Sequence, residues 1–179
     1  IYNYKEIKKD LSDYQFKTDS DTEVILAGFT KWGEGVLPRL RGMFVFCIYD
    51  TKEQKVFLAR DFFGIKPLYY FKKNNKVSAF SSEIKSLLAL KDFKPEVNDE
   101  AVFNYLSFQY NPLEETFFKN VFKLPPAHYM KIDSKTGEVE INRYWQFAFK
   151  QNNTLDEKVT SQKILKVIWM KESMLKLII

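Results

Sequence analysis

Residues 42–83 read GMFVFCIYDTKEQKVFLARDFFGIKPLYYFKKNNKVSAFSSE and contain four consecutive strand-like segments. These segments are rich in β-branched and aromatic residues, and turn residues separate them: GMFVFCIYD, KVFLARD, LYYFKK and KVSAFSS. Short strands with turn residues between them are typical of an antiparallel meander. The segments are too apolar for a sheet with one face in water, so we expect other elements to cover each face.

Helical patterns lie on both sides of these strands. Residues 4–11 have apolar side chains at spacings of three and four, which predicts a short amphipathic helix. Ser20 and Glu23 have the spacing of a capping box at the start of a longer helix. Two further helices are predicted to start near Glu83 and after Asn98. The helices that follow Ser20, Glu83 and Asn98 are the expected cover of the sheet.

The remaining segments complete the domain. Residues 110–122 are predicted to be an irregular loop, and a β-hairpin is predicted to start at His128. The composition changes after Gln146, where a linker is expected before a helix that begins at Asp156. The residues alone therefore predict an α+β domain over 1–146, with stacked antiparallel sheets and covering helices, followed by residues 147–179.

Composition excludes several kinds of protein. One cysteine and one histidine allow neither an internal disulfide framework nor a zinc cluster. We find no apolar run long enough to span a membrane and no signal-peptide pattern, so we expect a cytoplasmic protein with no membrane partner. The net charge is +5, but lysines alternate with acidic residues instead of forming a basic stripe, so no nucleic-acid partner is expected.

Single residues leave the function open. Asp21 falls in the first turn of a helix, where it can complement the helix dipole or bind a cationic ligand group; the residues alone favour the first role. Cys47 lies among apolar strand residues and is expected to be an inert core side chain. Arg60 and Asp61 form a charged pair at a strand end, which usually fixes a turn. His128 has no second histidine or cysteine nearby and is expected to be structural.

The order of six segments carries a family resemblance. IYNYKEIK, SDTEVIL, LRGMFVFCIYD, FLARDFFGIKPLYY, FSSEIKSLL and LPPAHYMKID…RYW follow one another over residues 1–145. Together they resemble the glutaminase domain of glutamine-hydrolysing asparagine synthetases, for which RDxFGxKPLYY is a specific marker. The resemblance implies a sandwich of the Ntn-hydrolase type, with two antiparallel sheets between helical layers, incomplete at its N-terminus.

The resemblance also implies a reaction. In this family an N-terminal cysteine attacks the side-chain amide of glutamine, and its own α-amine, with a pKa near ~7.7–8.0, serves as the base. A thioester forms and ammonia leaves through an internal tunnel. A second domain uses ATP and Mg²⁺ to convert aspartate into β-aspartyl-AMP, which the ammonia converts into asparagine. Glutamine, aspartate and ATP are thus the expected ligands of the parent protein, and a second copy is a candidate partner.

Site residues are carried over position by position. Ile1-Tyr2-Asn3 matches the end of the family's NGEIYN motif, so the cysteine and the oxyanion hole are expected upstream of Ile1. This chain is therefore expected to contain no catalytic residue, metal or cofactor and to be inactive alone. Asp21 matches the family aspartate that binds the α-ammonium group of glutamine. Four further residues match positions of the family's motifs for which the resemblance gives no direct substrate role: Asn3, Arg60, Asp61 and Glu83.

Two alternatives remain beside this interpretation. One is another class II amidotransferase, of the glucosamine-6-phosphate synthase type. The other is a catalytically dead interaction module. In the main interpretation the chain is a fragment, and residues 147–179 lead into the synthetase domain, whose SGGxDS loop for ATP is not in the sequence.

Overall fold

The computed structural model describes residues 1–91, 93–111 and 113–148. The chain divides into two units, Ile1–Gln146 and Phe147–Ile179, and every element named below belongs to the first. The helix predicted to begin at Asp156 lies outside the described residues. The assignment of residues 147–179 to a linker and a connecting helix stays a prediction.

The strands form two antiparallel sheets. The strands are β1 (Val45–Asp50), β2 (Lys55–Arg60), β3 (Tyr69–Lys73), β4 (Lys76–Ser81), β5 (Val121–Lys123), β6 (His128–Asp133) and β7 (Val139–Arg143). The first sheet has the order β1-β2-β6-β7 and the second sheet the order β4-β3-β5. The helices are α1 (Tyr4–Asp10), α2 (Asp21–Trp32), α3 (Ile84–Leu88) and α4 (Asp99–Phe108), and a 3₁₀ helix spans Gly33–Arg39.

The four predicted strands of residues 42–83 do not form one meander. β1 pairs with β2, and β3 pairs with β4 across Asn74 and Asn75, which both adopt the left-handed conformation that such tight turns require. However, β2 pairs with β6 and β3 pairs with β5. The prediction of a continuous meander is wrong because local turn signals do not specify the partner of a strand's second edge. The prediction of two antiparallel sheets is confirmed.

The alternating direction of side chains along the strands produces the layers of helices and sheets. Phe57 and Leu58 are neighbours in β2, yet Phe57 packs with α1 and α2 while Leu58 packs between the two sheets. Tyr70 of β3 likewise belongs to the core between the sheets, and Phe71 packs with Leu87 of α3. Successive side chains of a strand point to opposite faces, so each central strand contributes to two cores. The result is the predicted order of helix, sheet, sheet and helix.

Helix α4 does not provide the cover that the sequence predicts. Asn98 caps it as expected, because its side-chain oxygen accepts a hydrogen bond from the backbone N–H of Ala101 at 3.3 Å. Among the described residues of α4 only Ala101 is buried, whereas Phe103 and Leu106 are 69% and 74% exposed. Helical spacing predicts a helix but does not identify the surface that it meets.

The last part of the domain is close to prediction. The hairpin of β6 and β7 forms as expected, with His128 opposite Arg143 and Ile132 opposite Val139. The predicted loop over residues 110–122 is wrong at its end, because β5 starts at Val121 and pairs with β3. A strand of three residues is too short to show an alternating pattern.

Candidate functional site

An open groove of about 660 Å³ runs beside β1. Its lining combines Asp21 at the start of α2, the length of β1 from Val45 to Tyr49, and Lys66 and Pro67 from the loop that follows β2. Most of this lining is apolar, and Asp21 and Lys66 add one acidic and one basic side chain. A mostly apolar cleft with a few polar groups is the usual form of a small-molecule site.

The start of α2 places Asp21 in the groove. Ser20 is the N-cap, and its hydroxyl oxygen accepts a hydrogen bond from the N–H of Thr22 at 3.1 Å. The reciprocal half of the predicted capping box is absent, because the N–H of Ser20 donates to the Thr18 hydroxyl. Glu23 instead accepts from the N–H groups of Lys17 and Thr18. The side chains of Ser20 and Glu23 therefore accept hydrogen bonds from backbone N–H groups of this turn, and the Asp21 carboxylate is available for other contacts.

The Asp21 carboxylate lies between Ile1, the first residue of the sequence, and the open side of the groove. Its Oδ2 lies 2.5 Å from the α-nitrogen of Ile1, and the Asp21 side chain remains 43% exposed toward the groove. The carboxylate lies in the first turn of α2, where the backbone N–H groups of the helix carry a partial positive charge. Asp21 therefore presents a partly exposed carboxylate to the open side of the groove.

Cys47 lies in the groove and not in the core, so the prediction of a core side chain is wrong. It is exposed, because β1 is the outer strand of the first sheet in the described part of the chain. Its neighbours on the strand, Phe46 and Ile48, pack against the buried cluster that includes α2. Partial desolvation in the groove raises the pKa of the Cys47 thiol, which favours the neutral thiol over the nucleophilic thiolate.

Arg60 and Asp61 form a buried unit at the end of β2, with 5% and 1% of their surface exposed. The Arg60 guanidinium donates to the carbonyl oxygens of Lys66 at 2.7 Å, Gly64 at 2.6 Å and Leu124. The Asp61 carboxylate accepts from backbone N–H groups of the loop after β2, at 3.0–3.1 Å; the donors are Phe63, Ile65 and Lys66. Both side chains therefore hold the loop that carries Lys66 and Pro67.

The other candidates lie outside the groove. The Asn3 side chain connects the N-terminal segment to the turn before β1, through hydrogen bonds with Arg39 and Arg41. Glu83 forms a surface ion pair with Lys85 at 2.5 Å. His128 Nδ1 lies 2.7 Å from the carbonyl oxygen of Pro126, a contact within its own turn. Of the sequence-derived candidates, only Asp21 and Cys47 line the groove.

Sequence reasoning missed the groove-lining role of Lys66 and Pro67. Both belong to the RDFFGIKPLYY segment, so the signal was present in the motif, but the motif does not indicate which of its residues face a cleft. In residues 1–91, 93–111 and 113–148, no group of three acidic, histidine or cysteine side chains could hold a metal ion. Within the same residues no helix has both the length and the apolar character that a membrane span needs.

Comparisons with known proteins identify the family and the relatives that this chain resembles. The model of the family described as "Glutamine amidotransferase domain" matches residues 1–145. Glutamine-hydrolyzing asparagine synthetase 1 of Bacillus subtilis is 38% identical over 164 residues, which are 90% of this chain and 26% of that protein. A putative glutamine-hydrolyzing asparagine synthetase of Methanocaldococcus jannaschii is 36% identical over 82% of this chain and 28% of that protein. The chain thus spans about a quarter of the length of these relatives.

A solved structure shows the same fold. Glutamine phosphoribosylpyrophosphate amidotransferase from B. subtilis superposes with a TM-score of 0.51, at 18% identity, over 81% of this chain and 27% of that chain. At this identity the likeness concerns the fold alone. The resemblance found in the sequence and the two-sheet Ntn-type sandwich that it implies are both confirmed.

Proposed function

This chain belongs to the glutamine amidotransferase domain family, and we propose that its groove binds L-glutamine for ammonia release in a glutamine-hydrolysing asparagine synthetase. The observation that carries the proposal is the partly exposed carboxylate of Asp21, which lines the groove at the N-terminal end of α2. Its negative charge is complementary to the α-ammonium group of free glutamine. The mostly apolar walls of the groove suit the methylene groups of a glutamine side chain.

The proposed role of Asp21 is to bind and orient the substrate, not to react with it. A carboxylate that accepts hydrogen bonds from an ammonium group gains a charge-assisted interaction of about 1.5–3 kcal/mol. Such an interaction is the same before and during bond breaking, so its loss should appear mainly in the KM for glutamine. Amidation with free ammonia bypasses glutamine and should not need Asp21.

The test compares two nitrogen sources in the longer synthetase that we propose contains this chain. Asp21→Asn should raise the KM for glutamine roughly ten- to hundredfold, which is the loss of one charge-assisted interaction. Ammonia-dependent asparagine formation should be retained. Asp19→Asn is the matched control, because Asp19 lies two residues away and pairs with Lys8 on the surface at 2.9 Å. Equal loss of glutamine-dependent and ammonia-dependent activity would refute the assigned role.

We further propose that residues 1–179 alone do not hydrolyse glutamine. The raised pKa of Cys47 keeps its thiol protonated near neutral pH, and a thiol is a poor nucleophile. An electrophilic diazoketone analogue of glutamine should therefore leave the mass of the chain unchanged, and glutamine should release no glutamate. A stoichiometric adduct that disappears in Cys47→Ser would show that this thiol reacts.

The rest of the reaction belongs to the remainder of the proposed synthetase. Aspartate, ATP and Mg²⁺ are proposed ligands of that part, which would activate aspartate as β-aspartyl-AMP. The described residues do not fit a metal, since they contain no suitable group of ligands. We therefore assign no step of the ATP reaction to this chain. A cytoplasmic location and assembly with a second copy complete the proposal.

A further inference from the structure

The buried pair at the end of β2 connects two parts of the groove lining. Asp61 accepts a hydrogen bond from the N–H of Lys66 through Oδ2 at 3.0 Å, and Arg60 donates through Nε to the carbonyl oxygen of the same residue at 2.7 Å. Both hydrogen-bonding groups of the Lys66 backbone are therefore held by this pair. Lys66 itself lines the groove.

The backbone of the same pair is fixed to β1. The N–H of Asp61 donates to the carbonyl oxygen of Phe44 at 2.9 Å, and Val45 pairs with Arg60 in the first sheet. Phe44 and Val45 line the groove together with Lys66. One residue, Asp61, thus joins the strand side of the groove through its backbone and the loop side through its carboxylate.

We propose that Arg60 and Asp61 are positioning residues that set the separation between β1 and the Lys66–Pro67 wall, and thereby the fit of the groove to its ligand. This inference rests on the proposed function for the identity of the ligand, L-glutamine. The pair itself does not touch that ligand, because both side chains are buried and directed to backbone groups.

The chemistry of the two side chains suits this task. Asp61 Oδ1 accepts from the N–H groups of Phe63 and Ile65, so one carboxylate holds three amides of one loop. A planar guanidinium has five donors and can bind three carbonyl oxygens in fixed directions, which a lysine ammonium on a flexible stem does not reproduce. The opposite charges of adjacent residues also offset one another in the buried site.

The first test measures the geometry without any ligand. In the 179-residue chain, the amides of Ile65 and Lys66 should exchange hydrogen as slowly as core amides of β2, although they belong to a loop. Asp61→Asn should accelerate exchange of the Lys66 amide at least tenfold relative to those core amides, because the NH₂ group of asparagine replaces the Oδ2 acceptor. Asp133→Asn is the matched control, because the Asp133 carboxylate also holds two turn amides, of Lys135 and Thr136, but lies outside this groove. Wild-type amides that exchange at the rate of exposed loops would overturn the proposal.

The second test separates positioning from general stability. In the longer synthetase, Arg60→Lys and Asp61→Asn should raise the KM for glutamine at least tenfold and spare ammonia-dependent turnover, whereas Asp133→Asn should leave the KM unchanged. A folded Arg60→Lys variant with an unchanged KM would overturn the proposal even if Asp61→Asn fails to fold. If wild-type protein does not use glutamine, the proposed function fails, while the exchange measurement still decides whether the pair holds the wall.

Discussion

Asp21 begins α2 and Asp61 follows β2 in the same domain, but their carboxylates have different roles. Asp61 is 1% exposed and accepts hydrogen bonds from three backbone amides. The Asp21 side chain is 43% exposed, and in the described structure its one hydrogen bond comes from the α-ammonium group of Ile1. A carboxylate offers about four acceptor sites. Asp61 uses most of its capacity on the fold, whereas Asp21 keeps capacity for a ligand.

This difference indicates how to separate a binding residue from a structural one of the same type. The relevant quantity is the hydrogen-bonding capacity that remains after the backbone has been satisfied. For Asp61 little remains, and a ligand would have to displace buried amides at a cost of about 1–3 kcal/mol each. For Asp21 a ligand would displace only the single contact with the Ile1 nitrogen.

The largest expected effect compares the two aspartates directly. Asp61→Asn should lower the free energy of unfolding by about 1–3 kcal/mol, because its NH₂ group replaces Oδ2 and leaves the N–H of Lys66 without its acceptor. Asp21→Asn should lower it by about 1 kcal/mol or less, since the Asp21 side chain is 43% exposed and an asparagine oxygen can still accept from the Ile1 nitrogen. Urea unfolding of the 179-residue chain measures both values. Equal losses would remove the distinction between the two carboxylates.

A second expectation concerns the glycine within the loop that Asp61 holds. Gly64 has φ = +64°, and a Cβ there would lie 2.9 Å from both Arg60 Cζ and Pro126 Cγ. Gly64→Ala should therefore cost about 1–3 kcal/mol of unfolding free energy through backbone strain and the displaced guanidinium. Gly35→Ala is the control, because its Cβ would meet only Trp32 Cβ at 3.8 Å. Similar stability of the two variants would show that the loop is less tightly held than the contacts indicate.

The smallest expected effect is a pH dependence of the free energy of unfolding, which comes from Tyr144 near Asp61. The Tyr144 hydroxyl donates to the carbonyl oxygen of Arg60 at 2.7 Å, and burial, assisted by the charge of Asp61, raises its pKa. The pKa of Tyr144 is higher in the folded state than in the unfolded state. The contribution of its hydrogen bond to stability is therefore complete below the unfolded pKa of about 10 and is lost as pH rises through the folded value.

Tyr144→Phe isolates that contribution. The variant should lose about 1 kcal/mol at pH 8, the net value of one hydrogen bond, and should approach wild-type stability as pH rises above about 10. Urea midpoints measured from pH 8 to pH 11 give the comparison. A constant difference over the whole range would mean that ionisation of Tyr144 is not coupled to folding.

Local sequence patterns predicted the individual helices and strands, whereas long-range contacts determine how the strands pair and which helix faces are buried. The start of α1, the cap of α4 at Asn98 and the β6–β7 hairpin all follow from neighbouring residues. The pairing of β2 with β6 brings Leu58 opposite Met130, more than seventy residues later, and no local signal specifies it. The exposure of Phe103 on α4 has the same origin, since helical spacing says nothing about the partner surface.

The candidate site was predictable in part and for a similar reason. Asp21 could be identified because a helix start is a local feature and the family motif gave it a role. Cys47 was misjudged because its exposure depends on β1 being an outer strand, which is a property of the whole sheet. The sequence indicated that Arg60 and Asp61 fix a turn, but not which groups they hold, because their partners are backbone groups that carry no sequence signature.

The position of β1 at the edge of the first sheet also affects how the chain behaves in solution. Within the described residues its outer backbone groups face no neighbouring strand, and apart from Asp50 at its end β1 contains no proline or charged residue. Natural sheets commonly protect such edges with those residues, because an unprotected edge can pair with a strand of another molecule. The isolated chain thus carries a site for edge-to-edge aggregation, and dilute samples under native conditions suit its handling better than concentrated stocks.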